Sequence, residues 1–132
     1  MALTRLAVAL LACTLGIGGC AQSRYDQVKS SSRQTQSLLD DQLNRALAAD
    51  VPSRQARIDQ LTSIRYQLSA ANVALGAVPY VLEQPAEQET AYSFLEEFYS
   101  TLAWNAKLPP DQPARALPAN PLPGKLNLVP GR

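Results

Sequence analysis

At 132 residues the chain has room for one small domain, and 12 Lys and Arg stand against 11 Asp and Glu, so it offers no electrostatic basis for nucleic-acid binding. It has no histidine, which removes both the commonest metal ligand and the usual acid–base group near neutral pH. Only Cys13 and Cys20 carry sulfhydryls, with no C-x-x-C spacing, so a cysteine-based metal cluster is excluded as well.

The N-terminus opens with Met1–Arg5, which carries one positive charge. Leu6–Leu15 follows as an apolar run of the length found in signal peptides. Continued to Gly19, the uncharged stretch has 14 residues, short of the ~20 that a spanning helix needs. Gly18 and Gly19 then present almost no side chain, as a processing site requires. Ile17-Gly18-Gly19-Cys20 resembles the lipobox of bacterial lipoprotein precursors, in which an aliphatic residue and two small ones precede a cysteine. Gly18 departs slightly from the commonest pattern but remains small.

The resemblance implies cleavage between Gly19 and Cys20, diacylglycerol on the Cys20 sulfur and acylation of the new amino group. Ala21, after the cysteine, resembles outer-membrane-directed lipoproteins rather than the retained kind with Asp there. Two or three acyl chains give a stable anchor, because each buried methylene adds about 0.8 kcal/mol. Residues 1–19 are thus expected to be an address. The remaining 113 residues carry 11 charges of each sign and a single cysteine, so no internal disulfide is possible.

Residues 20–37 read as a polar tether, with Ser30-Ser31-Ser32 at the centre and helix expected only in its second half. Leu38–Ala49 is rich in helix formers, and Leu39, Leu43, Ala46 and Leu47 share a face. Pro52 punctuates the chain, and Ser53 is an expected N-cap.

Leu61, Ile64, Leu68, Ala71 and Leu75 recur at intervals of 3, 4, 3 and 4, the seam of a left-handed helix pair. Gly76 is read as a C-cap and Pro79 as a stop, with Val78–Leu82 a connector. The seam, and with it Leu61, Leu68 and Leu75, packs either on the preceding helix or on another protein. Two heptads favour the intrachain partner.

A third helix is expected after Pro85, over roughly residues 86–105. Ala91, Phe94, Leu95, Phe98, Tyr99 and Leu102 fall in one arc, and Ser93, Glu96, Glu97 and Ser100 lie opposite. Residues 22–76 hold seven bases and five acids, whereas 77–106 hold five acids and no base, so the elements attract. Trp104 falls off the apolar arc, which leaves three fates: a cap on the core, a platform for the tail, or a partner contact.

Seven of the ten prolines, from Pro109 to Pro130, lie in the last 25 residues. Helix and central strand are excluded there, and polyproline II and turns are expected. Pro110 and Pro113 meet a loose P-x-x-P spacing, a candidate partner contact. Leu117, Leu122, Leu126, Leu128 and Val129 are too apolar for a merely solvated extension, so part of the tail is expected to lie along the helices or to dock on a partner.

No serine has a nearby base in sequence, and the paired acids Asp40/Asp41 and Glu96/Glu97 diverge on a helix. The expectation is therefore an all-α protein: a two- or three-helix bundle over residues 38–105, with a proline-rich tail over 106–132. It is expected to be non-catalytic, without cofactor, metal or small-molecule substrate. It is membrane-anchored through Cys20 on the outer membrane, facing the periplasm, and meets a protein partner as an accessory or assembly subunit of an envelope complex. A spacer between outer membrane and cell wall, or the outer-membrane member of a lysis pair, are the other readings.

Overall fold

Three long helices account for most of the described residues. The computed structural model describes residues 20–128, with side chains from Arg24 onward. The expected signal segment, including Ile17, Gly18 and Gly19, lies outside the described residues, as do the side chain of Cys20 and residues 129–132. Helix α1 is Cys20–Ala48, α2 is Arg54–Val81 and α3 is Pro85–Lys107. Each packs on the other two. The short connections 49–53 and 82–84 make α1/α2 and α2/α3 antiparallel neighbours, so α1 and α3 run side by side in the same direction. Among the described residues there is no strand, and no helix is long and apolar enough to cross a membrane.

The first helix begins well before Leu38. The stretch read as a tether is polar, yet it continues the bundle, because its inward positions recur at helical spacing: Tyr25, Val28, Ser32, Thr35, Leu39 and Ala46. Two of those positions are hydroxyls, which hide the seam from a reading based on apolarity alone. Their groups are satisfied inside the bundle. Ser32 Oγ donates to Asn72 Oδ1 at 2.5 Å, the Tyr99 hydroxyl donates to the same oxygen at 2.8 Å, and Thr35 Oγ1 donates to the Tyr99 carbonyl at 3.3 Å. One polar knot thereby joins all three helices. Among the described residues no buried side-chain nitrogen or oxygen lacks a partner.

The expected apolar arcs form the core. Leu61, Ile64, Leu68, Ala71 and Leu75 of α2 are all buried, as are Ala91, Phe94, Leu95, Phe98, Tyr99 and Leu102 of α3. The α2 seam therefore closes within the chain. Leu61, Leu68 and Leu75 present no surface to a partner in this fold, which corrects their reading as candidate contacts. Leu47, expected on the inward face, is half exposed because Ala46 takes the core position beside it.

Three expected punctuation marks act differently. Ser53 precedes α2 but makes no side-chain cap: at φ −83° and ψ 4° it belongs to a tight turn, not to the extended geometry of an N-cap. Gly76 and Pro79 lie inside α2, and neither Gly76 nor any other described residue has positive φ. Pro79 sits in the last turn, where its missing N–H removes a single helical bond, that to the Leu75 carbonyl, and the helix ends two residues later. Leu82, taken as connector, closes the end by donating its N–H to the Val78 carbonyl and burying its side chain.

Opposite charge on α1 and α3 meets as expected. Arg24 Nε donates to Glu89 Oε1 at 3.1 Å, Nη1 pairs with Glu96, and Nη2 reaches Ser93. Burial disfavours the Arg24 cation, but hydrogen bonds to Glu96 and Glu89 outweigh it, and its pKa rises above the ordinary value.

Candidate functional site

The features that bear on partner contact cluster where α3 ends and the tail turns back. The C-terminus of a helix leaves its last carbonyls without partners. Here Arg57 of α2 supplies them: Nη1 donates to the Leu108 carbonyl and Nη2 to the Ala106 carbonyl, both at 2.5 Å, while Nη2 also reaches Gln42 Oε1 of α1 at 3.0 Å. A guanidinium at a helix C-terminus also meets the negative end of the dipole. Burial lowers the Arg57 pKa from its ordinary value, though it remains a cation under all ordinary conditions.

From Leu108 the chain reverses through a turn in which Gln112 N–H donates to the Pro109 carbonyl at 3.1 Å. Pro110 stands at the second position of that turn, where its fixed φ suits the backbone. Pro110 and Pro113 are both exposed, and the turn interrupts any polyproline II run between them. The tail then runs antiparallel to α3. Asn105, buried in the last turn of α3, uses both ends of its carboxamide on one tail residue: Arg115 N–H donates to Oδ1 at 2.8 Å, and Nδ2 donates to the Arg115 carbonyl at 3.1 Å. Beside it the Arg115 guanidinium lies 3.6 Å from the centre of the Trp104 ring. Of its three fates, Trp104 is a platform for the tail, and it remains 45% exposed.

Farther on, Asn120 forms an Asx turn, accepting the Leu122 N–H at 2.9 Å and donating to the Leu126 carbonyl at 2.6 Å. This closed loop drives Leu126 into the core, with Leu117, Leu122 and Leu128 packed at its edge. Lys125 Nζ completes the return by pairing with Glu87 Oε1 at 2.8 Å, near the start of α3. The tail therefore docks along the bundle within the chain over most of its length.

The docking makes a test. Asn105→Ala removes two hydrogen bonds from buried positions, at about 1 kcal/mol each. Trypsin cleavage after Arg115 should accelerate by tenfold or more, while far-ultraviolet dichroism stays unchanged. An unaltered cleavage rate would mean that the tail is held elsewhere.

Between α1 and α3 lies an open groove of about 460 Å³, lined by Ser31, Gln34, Thr35, Leu38, Glu96, Ser100, Ala103 and Lys107. Its lining offers hydroxyls, one amide and the Lys107 ammonium. Glu96 is already engaged by Arg24, Ser31 donates to the Gln27 carbonyl and Thr35 to the Tyr99 carbonyl. None of these hydroxyls is hydrogen-bonded to a carboxylate in the way a nucleophile needs its base. Among the described residues, no group of three His, Cys, Asp or Glu side chains is placed to hold a metal.

Asn105, Arg115, Asn120, Arg57 and Arg24 are single polar residues without a motif around them. Their roles depend on which backbone groups the fold leaves open, so sequence reasoning passes over them. The one available signal was the charge contrast between segments, which anticipates Arg24 with Glu89 and Glu96. No family model, curated protein or solved structure matches this chain.

Proposed function

We propose that this chain is a lipid-anchored protein of the bacterial outer membrane that faces the periplasm and serves, without catalysis of its own, as an accessory or assembly subunit of an envelope complex. One observation carries the reading: an apolar run too short to span a bilayer ends in Ile17-Gly18-Gly19-Cys20. The bundle supports it in two ways. The described part of helix α1 reaches back to Cys20, so an anchor there joins the folded body without an intervening loop. The exposed surface is made of helix faces and a docked tail, which suit protein contact rather than turnover of a substrate.

The returning tail also favours an accessory subunit over a spacer. A chain built to bridge distance would send its proline-rich segment away from the bundle, at about 3.1 Å per residue, instead of folding it back to Glu87. Cys20→Ser should abolish labelling by a fatty-acid probe in growing cells and move the protein out of the membrane fraction. Undiminished labelling would refute the anchor. Crosslinking in intact cells, followed by identification of the captured protein, names the partner.

A further inference from the structure

The end of the bundle where Cys20 stands is closed by exposed apolar residues. There α2 ends, α3 begins and the described part of α1 begins. Two contacts fix the heights. Arg24 pairs with Glu89, and Cys20 and Pro85 each precede their member of that pair by the same number of residues, so they stand level. Ser32 meets Asn72 across the antiparallel pair; counted from that contact, Tyr80 stops four residues short of the level of Cys20, or about 6 Å above it. Pro79, Tyr80, Val81, Pro85 and Ala86 are all exposed around this tip. Tyr80, at 86%, is the most exposed large hydrophobic residue among those described, and Val81 beside it is exposed by 46%.

We propose, resting on the reading that Cys20 carries the lipid, that this tip is a second, non-covalent membrane contact, with Tyr80 and Val81 seated in the headgroup layer. Height supports it. No loop separates Cys20 from the bundle, so a glyceryl group on its sulfur would hold the tip against the bilayer. The headgroup layer of one leaflet is roughly 5–8 Å thick, which includes the height of Tyr80. The side chain suits the place, since a tyrosine ring is apolar and its hydroxyl polar, the combination enriched at membrane interfaces.

Charge fixes the kind of contact. Residues 77–106 contain no Lys or Arg. On α1 Arg24 is held by Glu89 and Glu96, and on the tail Lys125 is held by Glu87. Glu83 is the exposed acid of the connector. The tip therefore has no free cation to offer an anionic lipid, and its contact is apolar and insensitive to salt, unlike that of a polybasic segment. A bundle seated in this way stands upright and holds Trp104 roughly 30 Å from the bilayer.

A nitroxide on Gln84→Cys reads the contact. Gln84 is exposed and makes no side-chain cap, and on the same reading lipid blocks Cys20, leaving the introduced thiol as the reactive one. The lipidated protein is placed in vesicles of phosphatidylethanolamine and phosphatidylglycerol, and collisions of the label with an aqueous nickel chelate are measured. Accessibility should be at least threefold lower than in the unlipidated Cys20→Ser protein in solution. It should be unchanged by 1 M salt or by omitting phosphatidylglycerol. Tyr80→Ser with Val81→Ser should raise it at least twofold in vesicles, with an unchanged thermal midpoint because both side chains are exposed. A lipidated protein that floats with the vesicles, yet shows no protection or none that the double variant removes, would overturn the contact and leave the anchor standing. Protection that grows with the protein-to-lipid ratio would assign the tip to a second copy and overturn it as well. A protein that does not float would overturn the anchor and this contact together.

Discussion

Tyr99→Ala should lower the stability of the bundle by about 3–5 kcal/mol, the cost of removing a large aromatic ring from a packed core. Tyr99 is the largest fully buried side chain among the described residues, and its ring sits on α3 where all three helices meet. A domain of this size is stable by about 5–15 kcal/mol, so the variant spends a large part of that margin and populates the unfolded state under mild denaturant. Tyr99→Phe separates the ring from its hydroxyl. The ring stays packed, and Asn72 Oδ1 keeps the hydrogen bond from Ser32, so no orphan is left. The cost at neutral pH should be about 1 kcal/mol.

The same pair of variants has a pH signature. Burial, the largest cause, pushes the Tyr99 hydroxyl up to about 12; the neighbouring Ser32 hydroxyl opposes the rise and the proximity of Tyr25 adds to it. An unfolded tyrosine releases its proton near pH 10, whereas the folded one holds it. Between those values the unfolded state binds fewer protons, and stability falls as pH rises. The contribution is fully present below pH 10 and is lost through about pH 12. At about 1.4 kcal/mol per pH unit it amounts to roughly 2–3 kcal/mol. Tyr99→Phe lacks this dependence, so the two stability curves should cross on the alkaline side. Parallel curves from urea melts at pH 8 through 12 would show that the hydroxyl titrates alike in the folded and unfolded states and that burial does not raise it.

Arg57→Ala is expected to cost about 2–4 kcal/mol and to loosen the tail as well as the helix end. Two of its bonds satisfy the Ala106 and Leu108 carbonyls, and Leu108 is the residue from which the tail departs. Charged hydrogen bonds of this kind contribute about 1.5–3 kcal/mol, and the carbonyls they leave behind are partly buried. Arg57→Lys should recover little, because an ammonium on a flexible stem cannot hold two carbonyls and the Gln42 amide oxygen from one rigid fork. The check is a double reading: the urea midpoint, and the rate of trypsin cleavage at Arg115. A variant destabilised globally, with tail cleavage unaltered below the transition, would show that the cap supports the helix alone.

The parts of this fold that could be read in the chain are those where apolar residues alone mark the inward face. The Leu61–Leu75 seam and the Ala91–Leu102 arc are of that kind, and both form the core. Helix α1 escapes such a reading because Ser32 and Thr35 occupy seam positions. Their hydroxyls are acceptable there only because Asn72 and the Tyr99 carbonyl, 40 and 64 residues away, complete their hydrogen bonds. Pro79 misleads for a related reason, since a proline in the last turn of a helix removes only one bond. The tail is intermediate. Its leucines announce that it docks, but the clasp depends on Asn105 meeting the backbone of Arg115, a contact with no compositional trace. For function, the informative stretch is short and lies at the N-terminus, while the candidate contact at Trp104 acquires a meaning only once Arg115 is seen above it.

The anchor is the premise on which the functional reading rests, and the mass of one peptide tests it. Trypsin should release Cys20–Arg24 as the N-terminal peptide of the protein purified from membranes. The account predicts that this peptide carries a diacylglyceryl group on sulfur and an acyl chain on its amino group. An unmodified Cys20, or an N-terminus at any other residue, would contradict it.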